Sequence, residues 1–265
     1  MVRHFLALFS LLCCLWHLPC NGSILCGELT KVIRLSPGEE RPVKLTLKNT
    51  SAEEERVNLR QVDYSYNCQG ENFFEEIGTS QRSNGSWIEL QKQQVIVPPM
   101  GSVDVYYVVR VPLKEGLSGS YSSAILVEPE KFISKVDPDQ ENSLALNVKV
   151  RYCYVVITHI GQGKPELKIL SKQLVSSEGQ QLLQVDVANT GELHLRPKLI
   201  AKLFNGQSKL LVNGEAAARN ISPGNSVRYL LPLTDVKSEP LIGFLLLDDG
   251  DEHLFGEKVQ ITPSA

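Results

Sequence analysis

The chain has 265 residues, 42% of them hydrophobic and 22% charged, proportions that fit a folded soluble protein and exclude a disordered tail, a collagen and a multispan membrane protein. Lysine and arginine number 27 against 30 acidic residues, a net charge of −3, so the basic excess expected of a nucleic-acid binder is missing. The length suits one large domain or two of roughly 100–130 residues.

The first segment reads as targeting rather than folding. Arg3 and His4 precede an apolar run from Phe5 to Trp16 broken only by Ser10, and Pro19, Cys20, Asn21, Gly22 and Ser23 follow. This is the three-part layout of a secretory signal peptide, and the run is shorter than the ~20 residues that span a bilayer. Residues 1–22 are therefore expected to be a signal peptide. The alternatives are an uncleaved anchor or, after the poor lipobox His17-Leu18-Pro19, a lipidated Cys20. No other apolar stretch approaches membrane-spanning length, which places the mature chain in a periplasm or cell envelope. Cleavage leaves three cysteines, Cys26, Cys68 and Cys153. In an oxidising compartment that allows one disulfide and one leftover thiol, with Cys153 the buried thiol.

The mature chain reads as strand after strand. In Pro42 to Asn49, Val43, Leu45 and Leu47 alternate with Lys44, Thr46 and Lys48, a half-buried strand. Val57 to Tyr66, Val103 to Val111 and Tyr121 to Glu128 follow, separated by turn signals at Ser36-Pro37-Gly38, Asn84-Gly85, Pro98-Pro99-Met100-Gly101 and Gly116 to Gly119. A second series comprises Leu167–Leu174, Leu182–Asn189, Leu195–Phe204, Val227–Leu233, Leu241–Leu247 and Lys258–Thr262. No long helical period is present. The two series repeat one another in order. KLTLKNT (Lys44–Thr50) matches QVDVANT (Gln184–Thr190), PPMGSVDVYYVVRVP (Pro98–Pro112) matches SPGNSVRYLLPL (Ser222–Leu233), and GSYSSAILVEP (Gly119–Pro129) is echoed by LIGFLLLDD (Leu241–Asp249). The pattern predicts an all-β protein of two tandem immunoglobulin-like β-sandwiches, residues 24–161 and 165–263, with Gly161-Gln162-Gly163-Lys164-Pro165 as the hinge between them.

Leu144 to Ile160 is the most informative stretch. Every even position is apolar or aromatic except Thr158, while Ala145, Asn147, Lys149 and Arg151 begin the opposite face. It reads either as a core strand that bends once or as an edge strand that pairs with an incoming chain. On the second reading Leu144, Leu146, Val148, Lys149, Val150 and Arg151 bind the partner, with Lys149 or Arg151 available for a carboxylate.

Enzyme chemistry finds no foothold. Gly161-x-Gly163 lacks the third glycine of a dinucleotide loop, and Ser118 to Ser123 lacks the Gly-x-Ser-x-Gly spacing. His159, His194 and His253 are scattered and read as surface or strand-end residues, without zinc spacing. Asp248 to Glu252 reads as an acidic hairpin turn, with calcium as the alternative, and Glu53-Glu54-Glu55 as a solvated loop. No cofactor and no metal is expected. Asn49-Thr50-Ser51, Asn84-Gly85-Ser86 and Asn220-Ile221-Ser222 match the glycosylation sequon.

The order Ser36-Pro37-Gly38, KLTLKNTS (Lys44–Ser51), VPPMGSVDVYYVVRVP (Val97–Pro112), GSYSSAILVEP and then a long alternating strand resembles the first domain of bacterial periplasmic pilus-assembly chaperones, over roughly residues 29–160. The resemblance implies two immunoglobulin-like domains set at an angle. It also implies a last first-domain strand that lends alternating apolar residues to an unfinished pilus subunit, and basic cleft residues that anchor the subunit's terminal carboxylate. Arg151 falls nearest the family's cleft lysine. Lys31 and Arg34 are nearest its first-strand arginine, at a different spacing to Gly38. The chain is also similar to two-domain immunoglobulin-like surface proteins of Gram-positive bacteria that interact with WxL-domain partners, which carry a C-terminal anchor where this sequence stops at Pro263-Ser264-Ala265. The expected function is an exported, non-enzymatic, chaperone-like binding protein that engages a secreted or envelope protein by β-strand addition. The alternative is a structural or adhesive envelope module, and neither nucleic acid nor a membrane beyond the leader is an expected partner.

Overall fold

The computed structural model describes residues 24–131, 133–135, 146–177, 179–233, 240–250 and 253–262. Twelve strands form a first unit: β1 (Ile24–Cys26), β2 (Thr30–Arg34), β3 (Glu40–Asn49), β4 (Glu55–Tyr66), β5 (Asn72–Glu75), β6 (Ile88–Leu90), β7 (Gln94–Val97), β8 (Ser102–Arg110), β9 (Gly119–Pro129), β10 (Ile133–Lys135), β11 (Leu146–Val148) and β12 (Tyr152–Ile160). One sheet runs β1-β3-β8-β6 and the other β2-β12-β9-β4-β5, with β7 also on β4. These sheets face each other over a core that includes Leu47, Val57, Tyr107, Val109, Ile125 and Val156. That is the four-against-three layout of an immunoglobulin-type sandwich, extended at its edges.

Seven strands form the second unit: β13 (Leu167–Ser177), β14 (Gln180–Asn189), β15 (Lys198–Phe204), β16 (Leu210–Ala216), β17 (Ser226–Leu233), β18 (Leu241–Asp248) and β19 (Leu254–Ile261). Sheets β13-β14-β17 and β16-β15-β18-β19 enclose a separate core built on Leu183, Val185, Leu199, Leu203, Tyr229 and Leu245. The fold is thus two tandem immunoglobulin-like sandwiches, as the alternation predicts. Among the described residues no helix is long and apolar enough to cross a membrane.

The internal repeat is visible in the pairing. Leu47 lies opposite Val103 on β3 and β8, and Val187 opposite Val227 on β14 and β17. β9 and β18 take the same place, between β4 and β12 and between β15 and β19. The two asparagines of the repeat do the same work. Asn49 is fully buried, and its side-chain N–H groups donate to the Glu53 and Val97 carbonyls. Asn189 donates in the same way to Leu193 and Ile221. Each backbone N–H meets the carbonyl that ends the matching turn, Gly101 and Asn225. Burial of a polar side chain is tolerated because every strong donor is matched.

Several expectations change. The stretch from Leu144 is not one strand: β11 pairs with β10, and the ladder resumes only at Tyr152. Strand β15 begins at Lys198 rather than Leu195, because Pro197 has no N–H to give a ladder. Glu55 is buried at the start of β4 and accepts the Lys131 N–H, so only Glu53 and Glu54 remain on the surface. Cys26, Cys68 and Cys153 are all free thiols, placed on β1, after β4 and on β12.

Candidate binding edge and inter-domain cleft

Strand β12 is the element on which the site depends. On one side it pairs antiparallel with β9, from Tyr152 opposite Val127 to Ile160 opposite Gly119. On the other it pairs parallel with β2, but only from Val155 opposite Thr30 to His159 opposite Arg34. Even positions point into the first core. Tyr154 and Val156 are buried there, and the Tyr154 and Tyr107 hydroxyls meet at 3.1 Å. Odd positions line the other face, where Cys153 packs near Val62, Ala124 and Leu126. Burial pushes the Cys153 thiol up to about 12 and the Cys26 thiol to about 11, so neither is a ready nucleophile.

The Val155 N–H donates to the Leu29 carbonyl at 2.8 Å, and the His159 carbonyl accepts from the Leu35 N–H at 3.0 Å. Val155, Ile157 and His159 therefore turn their backbone groups toward β2. By the two-residue period of a strand, Cys153 and Arg151 turn theirs the same way. There β2 has not yet begun, and among the described residues no strand pairs with them on that side. The result is a short open ladder continuous with a paired one.

The six residues expected to bind the partner are distributed as follows. Leu144 lies outside the described residues. Leu146 and Val148 belong to β11, opposite Lys135 and Ile133. Lys149 is exposed and Val150 half-buried. The Arg151 guanidinium is paired with the Glu128 carboxylate at 2.6 Å, so its charge is already compensated inside the chain. Of the two first-strand cations, Arg34 ends β2 opposite His159, and Lys31 sits opposite Val156.

Beside this edge the two sandwiches enclose a cleft of about 960 Å³, with Val155, Ile157 and Tyr66 from the first and Ala216 to Asn220 from the second among its walls. The joint that shapes it is tightly bonded. The Tyr66 side chain packs against the second core. Its hydroxyl donates to the Asn220 carbonyl at 2.8 Å and accepts the Ser222 N–H at 3.2 Å. The Tyr66 and Cys68 N–H groups donate to the Asn225 and Ser226 side chains. Arg82 bridges to Glu192 at 2.9 Å, and the Ser120 N–H donates to the Glu192 carbonyl at 2.7 Å. A methyl group on Gly119 would lie 2.6 Å from that carbonyl, and one on Gly163 would lie 2.8 Å from the Gly119 Cα. The segment read as a hinge is thus a packed joint, in which Gly163 serves close approach and Gly161 a positive φ of 54°.

The joint also gathers histidines that look unrelated in sequence. Ser120 Oγ is 2.7 Å from His159 Nδ1 and accepts the His194 N–H at 2.7 Å. His194 Nδ1 meets Ser222 Oγ at 3.1 Å. Burial, then the neighbouring His159, pushes the His194 imidazole down to about 4. Burial and then Arg34 lower His159. Both are held neutral as parts of the joint. Nothing local in the sequence marks Ser120, Glu192 or Tyr66 for this role, since each acts on a residue at least 70 positions away.

In the two acidic segments Glu53, Glu55, Asp248 and Asp249 are engaged within the chain. Asp248 Oδ1 accepts the Gly250 N–H, and Asp249 accepts from His253 across the β18–β19 connection, as a hairpin turn would. Residues 251 and 252 lie outside the described residues. Among the described residues no three metal-binding side chains cluster. Of the three sequon asparagines, Asn49 and Asn84 are fully buried and Asn220 is exposed.

No family model matches the chain, and no curated protein matches it. Among solved structures it is similar to the CsuC–CsuE chaperone–tip adhesion subunit pre-assembly complex from the archaic chaperone–usher Csu pili of Acinetobacter baumannii, at 14% identity over 92% of this chain and 100% of that one, with a TM-score of 0.45. It is also similar to the class 5 fimbriae chaperone CfaA, at 15% identity over 91% and 100% with a TM-score of 0.46. A third similar structure is the Salmonella enterica SafA pilin in complex with the SafB chaperone, at 11% identity over 89% and 96% with a TM-score of 0.41.

Proposed function

We propose that this chain is an exported, non-enzymatic binding protein that captures an extended segment of a secreted or envelope protein by adding it as a strand beside Arg151 and Cys153. The observation that carries this reading is the open ladder at the start of β12. Its outward backbone groups continue the line that β2 occupies further along. An added strand would draw affinity from main-chain hydrogen bonds and selectivity from alternate side chains. Val150 supplies an apolar side chain next to this edge and Lys149 and Arg151 the charge, while Leu146 and Val148 approach it from β11. An incoming carboxylate would compete with Glu128 for Arg151. The inter-domain cleft gives the rest of the partner a concave surface on which to lie.

The test is a pull-down of near-stoichiometric secreted subunits from the cell envelope with the mature protein and two variants. Cys153→Pro removes an outward N–H without touching the β9 ladder, a position where a sheet tolerates proline. Leu146→Lys with Arg151→Glu alters the side chains instead. Capture by the wild type that both variants lose supports strand addition, and capture that survives both refutes it.

A second reading is favoured by the five-residue parallel pairing of β12 with β2, which makes most of the strand interior. On it the protein is a structural or adhesive module that binds through loops. Amide exchange separates the two. Slow exchange at Arg151 and Cys153 in the free protein favours the module, and fast exchange there favours the docking edge.

A further inference from the structure

Two surfaces carry exposed apolar side chains beside charges of opposite sign. The first is the outer face of β16-β15-β18-β19. Across it Lys202 lies opposite Phe244, and Phe244 opposite Lys258, while Phe204 lies opposite Ile242. Phe244 is 49% and Ile242 39% exposed. Among the described residues neither Lys202 nor Lys258 has a salt-bridge partner, so a phenyl ring sits between two uncompensated ammonium groups. The second surface is the far edge of the first sandwich. All four residues of β5 are exposed. Phe73 is 44%, Phe74 38% and the following Ile77 40% exposed. Glu75 and Glu76, between them, are exposed and make no salt bridge among the described residues.

Monomers do not usually expose aromatic clusters of this kind without a use for them, and aromatic centres with a charged rim are the composition of interfaces. The two surfaces complement each other in character and charge: an apolar, basic sheet face and an apolar, acidic strand edge. We propose that the β15–β18 face of one copy takes up the β5 tip of a second copy, with Glu75 and Glu76 meeting Lys202 and Lys258 around Phe244. The contact joins two different patches, so it is head-to-tail. Growth continues beyond a dimer unless the rotation closes a ring. This inference is independent of the strand-addition reading, since it uses neither β12 nor the cleft.

Sedimentation velocity on the mature protein, from micromolar to submillimolar concentration, tests it. The wild type is expected to show an average mass that climbs with concentration, and to do so less in high salt, because the rim charges are screened. The double reversals Lys202→Glu/Lys258→Glu and Glu75→Lys/Glu76→Lys each place like charges across the contact and should weaken association about tenfold or more. All four side chains are exposed, so folding is checked by unchanged circular dichroism. An equal mixture of the two double variants restores opposite charges and should associate again. A wild type that stays monomeric throughout overturns the proposal. So does association that neither reversal weakens, or a mixture that remains as monomeric as its components.

Discussion

Acidification should loosen this protein through His194, and the size of the effect follows from the joint. The imidazole is buried against His159 and bonded to Ser222, and its pKa falls from 6.5 to about 4. In the unfolded chain the same group returns to about 6.5. Between those values the unfolded state holds more proton than the folded one, so stability rises with pH there. The contribution is full above about pH 6.5, declines as pH falls, and is gone below about pH 4. A shift of that size corresponds to about 3 kcal/mol. His159, also lowered, acts in the same direction. Carboxylates lose their partners in part of the same range, so the wild type alone does not isolate the histidine. The comparison is with His194→Gln, which leaves the backbone N–H bond to Ser120 in place and offers Ser222 an amide. Urea midpoints at pH 7.5 and 4.5 should differ more in the wild type than in the variant, by the equivalent of about 2–3 kcal/mol. Equal pH responses in the two proteins would refute the assignment.

The repeated asparagines should be equally costly to remove. Asn49→Ala removes the amide donor to the Val97 and Glu53 carbonyls, of which Glu53 keeps the Ser51 hydroxyl, and Asn189→Ala removes the donor to the Leu193 and Ile221 carbonyls, of which Ile221 keeps the Leu195 N–H; each is expected to cost about 1–3 kcal/mol by urea unfolding, and a neutral result at either site would refute the buried amide's role. Gly119→Ala drives a methyl group into the Glu192 carbonyl at a residue whose φ is +78°; small-angle scattering should show a more extended particle, and thermal unfolding should separate into two transitions. Expressed in a host that glycosylates Asn-X-Ser/Thr, the folded protein should carry sugar at Asn220 and none at Asn49 or Asn84, whose amides are bonded inside the fold. Peptide mass spectrometry decides this, and a glycan on either buried asparagine contradicts the structure.

The two-sandwich architecture is legible because it is written twice. The turn Pro98-Pro99-Met100-Gly101 and its counterpart Ser222-Pro223-Gly224-Asn225 both place a positive φ at the third residue, 51° at Met100 and 80° at Gly224. The strands on either side keep the same alternation in both halves. Short edge elements such as β5 are not legible, because a strand exposed on every residue has no apolar period to read. The joint is illegible for a different reason. Tyr66, Arg82, Ser120 and Glu192 act through partners far away in sequence, and no local spacing encodes which carbonyl a tyrosine hydroxyl will meet.

The long alternating stretch shows where such reading stops. A period of two says that one face of a strand is apolar and says nothing of the number of neighbours its backbone has. Val155 to His159 and Arg151 to Cys153 continue the same alternation, yet the first group has a ladder on both sides and the second on at most one. What separates them is where β2 begins, and that depends on how Leu29 meets Val155. The strand is thus flanked on both sides over Val155 to His159 and on one side at Cys153. The docking reading is confined to the end where β2 is absent, which is why Cys153→Pro tests it and a substitution at Ile157 would only damage the fold.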